Sequence, residues 1–254
     1  MITTREIWFE SDDDVRLFAC EVGARERPTL LFLHGGLADH RAALFRVGAL
    51  ADTHHLALPD LRGSGRSVFA GALSWDRLAD DVVALLDHLR IERATIGGTS
   101  MGSAVALRFA LRHPARLELL LLASPLYPGA DRELDEAPRV AMEVMAAAGE
   151  RTLALGVDAL LPLYEGLLPP IRDVAIAMMR GFDPASVAAT TRFLAESAQP
   201  MASVTELATI TAPVLLVPGT DPEHPAAIAD LYARHLPRAS LASDLVAGIR
   251  RYFT

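Results

Sequence analysis

Only one cysteine, Cys20, occurs in 254 residues, so no internal disulfide can form, and on a strand-like segment it reads as a small buried residue. There is no basic excess either: 24 Lys and Arg stand against 32 Asp and Glu, a net charge of −8. That balance argues against nucleic acid or an anionic membrane as partner, since either favours a basic face. Long apolar runs are missing too. The most apolar stretch, Leu117 to Ala123, is far too short to span a bilayer. Met1-Ile2-Thr3-Thr4-Arg5-Glu6 lacks a basic region followed by an apolar one, so no signal peptide is expected and the cytoplasm is the default location. Gly63-Ser64-Gly65 follows a strand but lacks the spacing of a dinucleotide loop, and no metal-ligating cluster stands out, so no cofactor or metal is expected.

What is present is apolar bulk. A hydrophobic content of 51% supports one large domain, or a core with one insertion. Opening strands are expected at 6–10 and 15–22, hinged by Ser11-Asp12-Asp13-Asp14. Thr29-Leu30-Leu31-Phe32-Leu33 is a continuous apolar run of the kind buried on both faces of a parallel sheet. A helix over 41–51 should follow, then a strand over 55–59. Residues 75–89 repeat apolar side chains at helical spacing (Leu78, Val82, Leu85, Leu86, Leu89). Further strands are expected at 94–97, 117–123 and 213–217, and closing helices at 225–236 and 244–253. Strands alternating with helices predict an α/β fold with a mostly parallel sheet.

Between Pro125 and about Ala208 the alternation stops. Helical segments are expected at 140–148, 157–163, 171–179 and 186–197, punctuated by Gly149, Pro162, Pro169-Pro170 and Gly181. This stretch is expected to form a helical cap over residues 126–208, inserted after the sixth strand, with the core built from 1–125 and 209–254. Met142, Met145, Leu160, Leu163, Met178, Met179, Phe182 and Phe193 could line an apolar acyl pocket, though most are expected to pack helix against helix.

Gly98-Thr99-Ser100-Met101-Gly102 puts a serine between two glycines where a strand ends and a helix begins. That is the pattern of a nucleophile elbow: a strained turn that demands nearly absent side chains two positions either side. The helix that follows aims its first N–H groups at the place an oxyanion would form.

With three further motifs, this chain resembles the α/β-hydrolase superfamily over nearly its whole length. They are His34-Gly35-Gly36-Leu37, the run Pro59-Asp60-Leu61-Arg62-Gly63-Ser64-Gly65-Arg66-Ser67, and Gly219-Thr220-Asp221-Pro222-Glu223-His224-Pro225. The second is similar to a loop of capped esterases, enol-lactonases and C–C bond hydrolases. The resemblance implies Ser100 as nucleophile, with the backbone N–H groups of Gly36 and Met101 as oxyanion hole, worth ~3 kcal/mol per donor. It implies Asp221 as the acid of a triad, four residues before Pro225. His34 would brace its loop, and Asp60 and Arg62 would pin theirs through a charge-assisted hydrogen bond.

The resemblance also implies a histidine on a loop between the last strand and the last helix. Here Leu236 to Leu241 reads as a helix end entering that strand, and Ser243 or Asp244 already caps the final helix. No histidine follows His235. Three explanations stay open: the loop belongs to the molecule but not to this sequence, it is deleted, or another histidine stands in. The first is favoured. His224 is the nearest stand-in but would have to turn back to bridge Asp221 and Ser100. His235 reads as a helix-end residue, and His40, His54, His55, His88 and His113 as surface or helix-end residues. The expected activity is hydrolysis of a small carboxylic ester or lactone. The alternatives are a hydrolase-fold ligand-binding protein without the triad histidine, and a C–C bond hydrolase on the same fold.

Overall fold

The structure is a computed structural model that describes residues 4–196 and 198–252. The expected helix ends at Ser197 and Phe253, and the first three residues of the N-terminal reading, lie outside these. Among the described residues the strands are β1 (Thr4–Glu10), β2 (Arg16–Val22), β3 (Thr29–Leu33), β4 (His55–Pro59), β5 (Ala94–Thr99), β6 (Leu117–Ala123), β7 (Val214–Val217) and β8 (Ala239–Leu241). They form one sheet in the order β1-β2-β4-β3-β5-β6-β7-β8. β2 pairs antiparallel with both β1 and β4, and every pairing from β4 to β8 is parallel.

The apolar runs explain why the sheet is central. Successive strand side chains point to opposite faces, so a continuous run needs cover on both. Leu31 and Leu33 of β3 join a cluster with α2 (Trp75–His88), α3 (Met101–Arg112) and α7 (Ala226–His235). Leu30 and Phe32 face the other way, into a cluster with α1 (His40–Val47) and α8 (Leu245–Tyr252). β6 divides likewise, with Leu120 and Leu122 on the first face and Leu119 and Leu121 on the second. Cys20 is buried in the second cluster. Among the described residues, no helix is long and apolar enough to cross a membrane.

The helical cap leaves after β6, the sixth strand. It comprises α4 (Glu136–Leu155), a 3-10 stretch (Val157–Tyr164), α5 (Pro169–Met179) and α6 (Pro184–Glu196). Leu160, Met178, Met179 and Phe182 pack together in a cluster of their own, with Leu163 against it. Phe193 instead packs at a tilt against Trp75, ring centroids 4.7 Å apart and planes inclined by 57°, and belongs to the main core. The helix expected over 41–51 stops at Val47, and Gly48–Leu50 form a 3-10 turn.

The Asp60–Arg62 expectation needs correcting, because the two side chains hold different things. Asp60 accepts from the backbone N–H of His40 and of Arg66, each at 2.7 Å, and sits 2.7 Å from His40 Nδ1. Burial opposes ionisation of Asp60, yet these bonds hold its carboxyl below the usual range. Arg62 is fully buried and turns the opposite way. It forks onto Asp81 (Nε to Oδ2 2.9 Å, Nη2 to Oδ1 2.7 Å) and reaches Asp13 at 2.7 and 2.9 Å. That guanidinium holds Asp13 well below the usual carboxylate range. Arg62→Ala would leave Asp81 buried without its cation, which typically costs ~3–5 kcal/mol. Urea unfolding should show that loss, whereas a change under 1 kcal/mol would mean the pair is dispensable.

His54 and His55 are buried rather than at the surface. His55 fills a polar niche in the sheet, 2.8 Å from Glu21 Oε1 and 3.1 Å from Thr29 Oγ1. Burial lowers its pKa, and these hydrogen bonds accommodate the ring there.

Candidate active site

The elbow forms where β5 meets α3. Ser100 has φ 53° and ψ −118°, a backbone conformation that side-chain-bearing residues rarely adopt. The flanking glycines make this turn possible. A Cβ on Gly98 would collide with the backbone of Gly102, and one on Gly102 with the carbonyl oxygens of Leu33 and His34. The elbow is therefore wedged against the end of β3. The bend is anchored by the Ser100 N–H, which donates to Ala123 O at 3.1 Å, and by Ser103 Oγ, which donates to Ser100 O at 2.8 Å.

His34 is a brace, as the sequence suggests. Its Nδ1 lies 2.7 Å from Gly35 O, and its Nε2 accepts from the Leu61 N–H at 3.0 Å. Complete burial pushes its pKa down, which keeps the ring neutral and able to make one bond of each kind. The loop it ties presents Gly36 to the same cavity as Ser100 and Met101. Met101 opens α3, so its amide is among those with no intrahelical acceptor.

Of the three explanations left open for the histidine, the geometry fits the one that was not favoured, a stand-in at His224. His224 Nε2 lies 2.8 Å from Ser100 Oγ, and His224 Nδ1 lies 2.9 Å from Asp221 Oδ1. The reason is local. Asp221-Pro222-Glu223-His224 is a β-turn: the His224 N–H donates to Asp221 O at 3.1 Å and to Asp221 Oδ1 at 2.9 Å. Aspartate at the first turn position and proline at the second are favoured, and such a turn brings its first and fourth side chains together. That signal was legible in the sequence. Gly219 makes room for it, since a Cβ there would strike the backbone and Cβ of His224. The connection from β8 to α8 is only residues 242–244, where Asp244 Oδ1 caps the helix by accepting from the Ala247 N–H at 2.7 Å.

Burial is graded along this chain of bonds. The His224 side chain is 18% exposed and that of Asp221 52%. A carboxylate so open to water orients its partner more than it charges it. Asp221, Glu223 and His224 could bring ligand atoms within 4.8 Å of one another, but both ring nitrogens of His224 are already committed.

The cavity in front of Ser100 holds about 160 Å³, the room of roughly five liquid waters. Of the cap methionines considered from the sequence, Met142 and Met145 line it, together with Leu126 and Leu194. Such a site can attack a carbonyl at Ser100 with a short apolar group seated under the cap.

Comparison with known proteins gives the family and the fold. The chain is 34% identical over 125 residues to the AB hydrolase superfamily protein YisY of Bacillus subtilis, covering 48% of this chain and 46% of that protein. It is 32% identical over 112 residues to 3-oxoadipate enol-lactonase 2 of Acinetobacter baylyi, covering 44% and 42% respectively. These matches span less than half the length of either relative. The fold is similar throughout to the enol-lactonase of Burkholderia xenovorans, with TM-score 0.77 over 97% of this chain and 95% of that one at 21% identity. Residues 28–166 match the family model described as the alpha/beta hydrolase fold, and the chain belongs to that family.

Proposed function

We propose that the protein is a serine hydrolase that cleaves a small carboxylic ester or lactone through an acyl-enzyme on Ser100. One observation carries the reading: the hydrogen-bonded series Ser100–His224–Asp221 at the mouth of a short, mainly apolar cavity. The esterase and enol-lactonase names among similar proteins support the same substrate class. His224 Nε2 takes the proton as Ser100 Oγ attacks the carbonyl carbon. The N–H groups of Gly36 and Met101 receive the oxyanion. His224 then protonates the leaving oxygen, water enters, and the same ring deprotonates it to release the acid. Asp221 keeps the ring in the tautomer that leaves Nε2 free to accept. Residues 126–208 act as the cap that shapes the acyl side.

A ligand-binding protein without turnover has one support in the sequence, the apparent lack of a base, and His224 beside Ser100 favours the hydrolase over it. A C–C bond hydrolase would use the same residues, and no feature of the cavity favours it. A fluorophosphonate probe should add one equivalent to the protein by intact mass, and Ser100→Ala should abolish the addition. Labelling that survives in Ser100→Ala, or no labelling of the wild type, would overturn the proposal.

A further inference from the structure

The cavity wall carries one charge that the chemistry above leaves idle. Glu223 lines the cavity next to His224, and it is exposed to solvent. One of its carboxylate oxygens lies within 4.8 Å of a His224 ring nitrogen and of an Asp221 carboxylate oxygen. Since His224 Nε2 is 2.8 Å from Ser100 Oγ, that charge stands within about 10 Å of the nucleophile, one Debye length at 0.1 M salt. Asp221 is committed to the His224 ring at 2.9 Å. The Glu223 side chain has no hydrogen bond or ion pair among the described residues.

Nothing on the wall offsets this charge. No arginine lines the cavity, and the chain contains no lysine. The other side chains are mainly apolar, including Leu126, Met142, Met145 and Leu194. A carboxylate on a substrate would lose water on entering, find no cation, and face Glu223. The net charge of −8 acts in the same direction at longer range. An uncharged substrate escapes these costs, and a cationic one gains from the same field.

Resting on the ester-hydrolase reading, we propose that Glu223 determines specificity by charge: its carboxylate repels substrates that carry a negative charge near the scissile carbonyl. The substrate class is thus a short ester or lactone that is uncharged or cationic, and not a half-ester of a dicarboxylic acid.

The test follows acid release from two pairs matched in shape. Monomethyl succinate against methyl succinamate compares an anion with its neutral amide, and acetylcholine against 3,3-dimethylbutyl acetate compares a cation with its neutral carbon isostere. At about 10 mM salt, where screening is weak, Glu223→Gln should raise the anion-over-amide ratio of kcat/KM roughly three- to ten-fold, or lower the cation-over-carbon ratio by as much. Comparing ratios cancels differences in intrinsic reactivity. The change should shrink at about 0.5 M salt, where the charge is screened. Glu26→Gln removes the same charge from the exposed loop before β3, at the sheet end away from the elbow, and should leave both ratios as they are. Ratios that Glu223→Gln leaves unchanged in both pairs overturn the proposal, as does an equal change in Glu26→Gln. If the wild type turns over none of these esters, the fluorophosphonate result decides the hydrolase reading by itself. Calorimetric binding of N-methylsuccinamate against N-methylsuccinamide then decides this inference: a preference for the neutral amide that Glu223→Gln removes supports it, and no preference, or no binding of either, overturns it.

Discussion

Replacing His224 by alanine should lower kcat for an activated ester such as p-nitrophenyl acetate by roughly 10⁶-fold, the cost of removing the base in serine proteases. Without an acceptor 2.8 Å from Oγ, Ser100 remains a neutral alcohol and a poor nucleophile. The oxyanion donors and the cavity survive, so a residual acceleration on the order of 10³-fold over water should remain. Folding should be little affected, because the ring is partly exposed and its backbone bonds to Asp221 do not depend on the side chain. Circular dichroism and the melting temperature check that point. A variant within ten-fold of the wild type would place the base elsewhere.

Asp221→Ala should cost about 10⁴-fold in kcat with KM nearly unchanged, the scale seen when the acid alone is removed from such a triad. Two effects contribute. The ring loses the partner that fixes its tautomer, and the turn loses the carboxylate oxygen that accepts from the His224 N–H at 2.9 Å. Because Asp221 is half-exposed, water supplies part of the lost stabilisation, and a smaller loss is expected than for a buried acid. Steady-state kinetics over a range of ester concentrations separates the two constants. A loss under ten-fold would reduce Asp221 to a turn residue.

The central strands were legible because they are largely buried apolar runs, and β3, β4 and β6 keep the limits read from the sequence. The elbow was legible because few other sequences satisfy the steric demand at both glycines. His224 ranks only as a stand-in from the sequence because family order points to a loop after the last strand, while four-residue turn chemistry points to a nearer place. Asp60 and Arg62 were misread for another reason. The resemblance implies that they pin one loop through a charge-assisted hydrogen bond, yet their side chains turn to opposite sides, where Asp81 and Asp13 meet the guanidinium. Buried His55 was likewise illegible, because its partner Glu21 lies on another strand and only folding brings them together.

On the proposed mechanism the acid and the base sit three positions apart on a single bend, which relieves the far end of the sheet of chemical duty. β8 and α8 contribute sheet pairing, apolar packing through side chains such as Leu245 and Ile249, and the Arg250 bond to Ala49 O. Genetic change in that region is filtered by foldedness, not by reactivity.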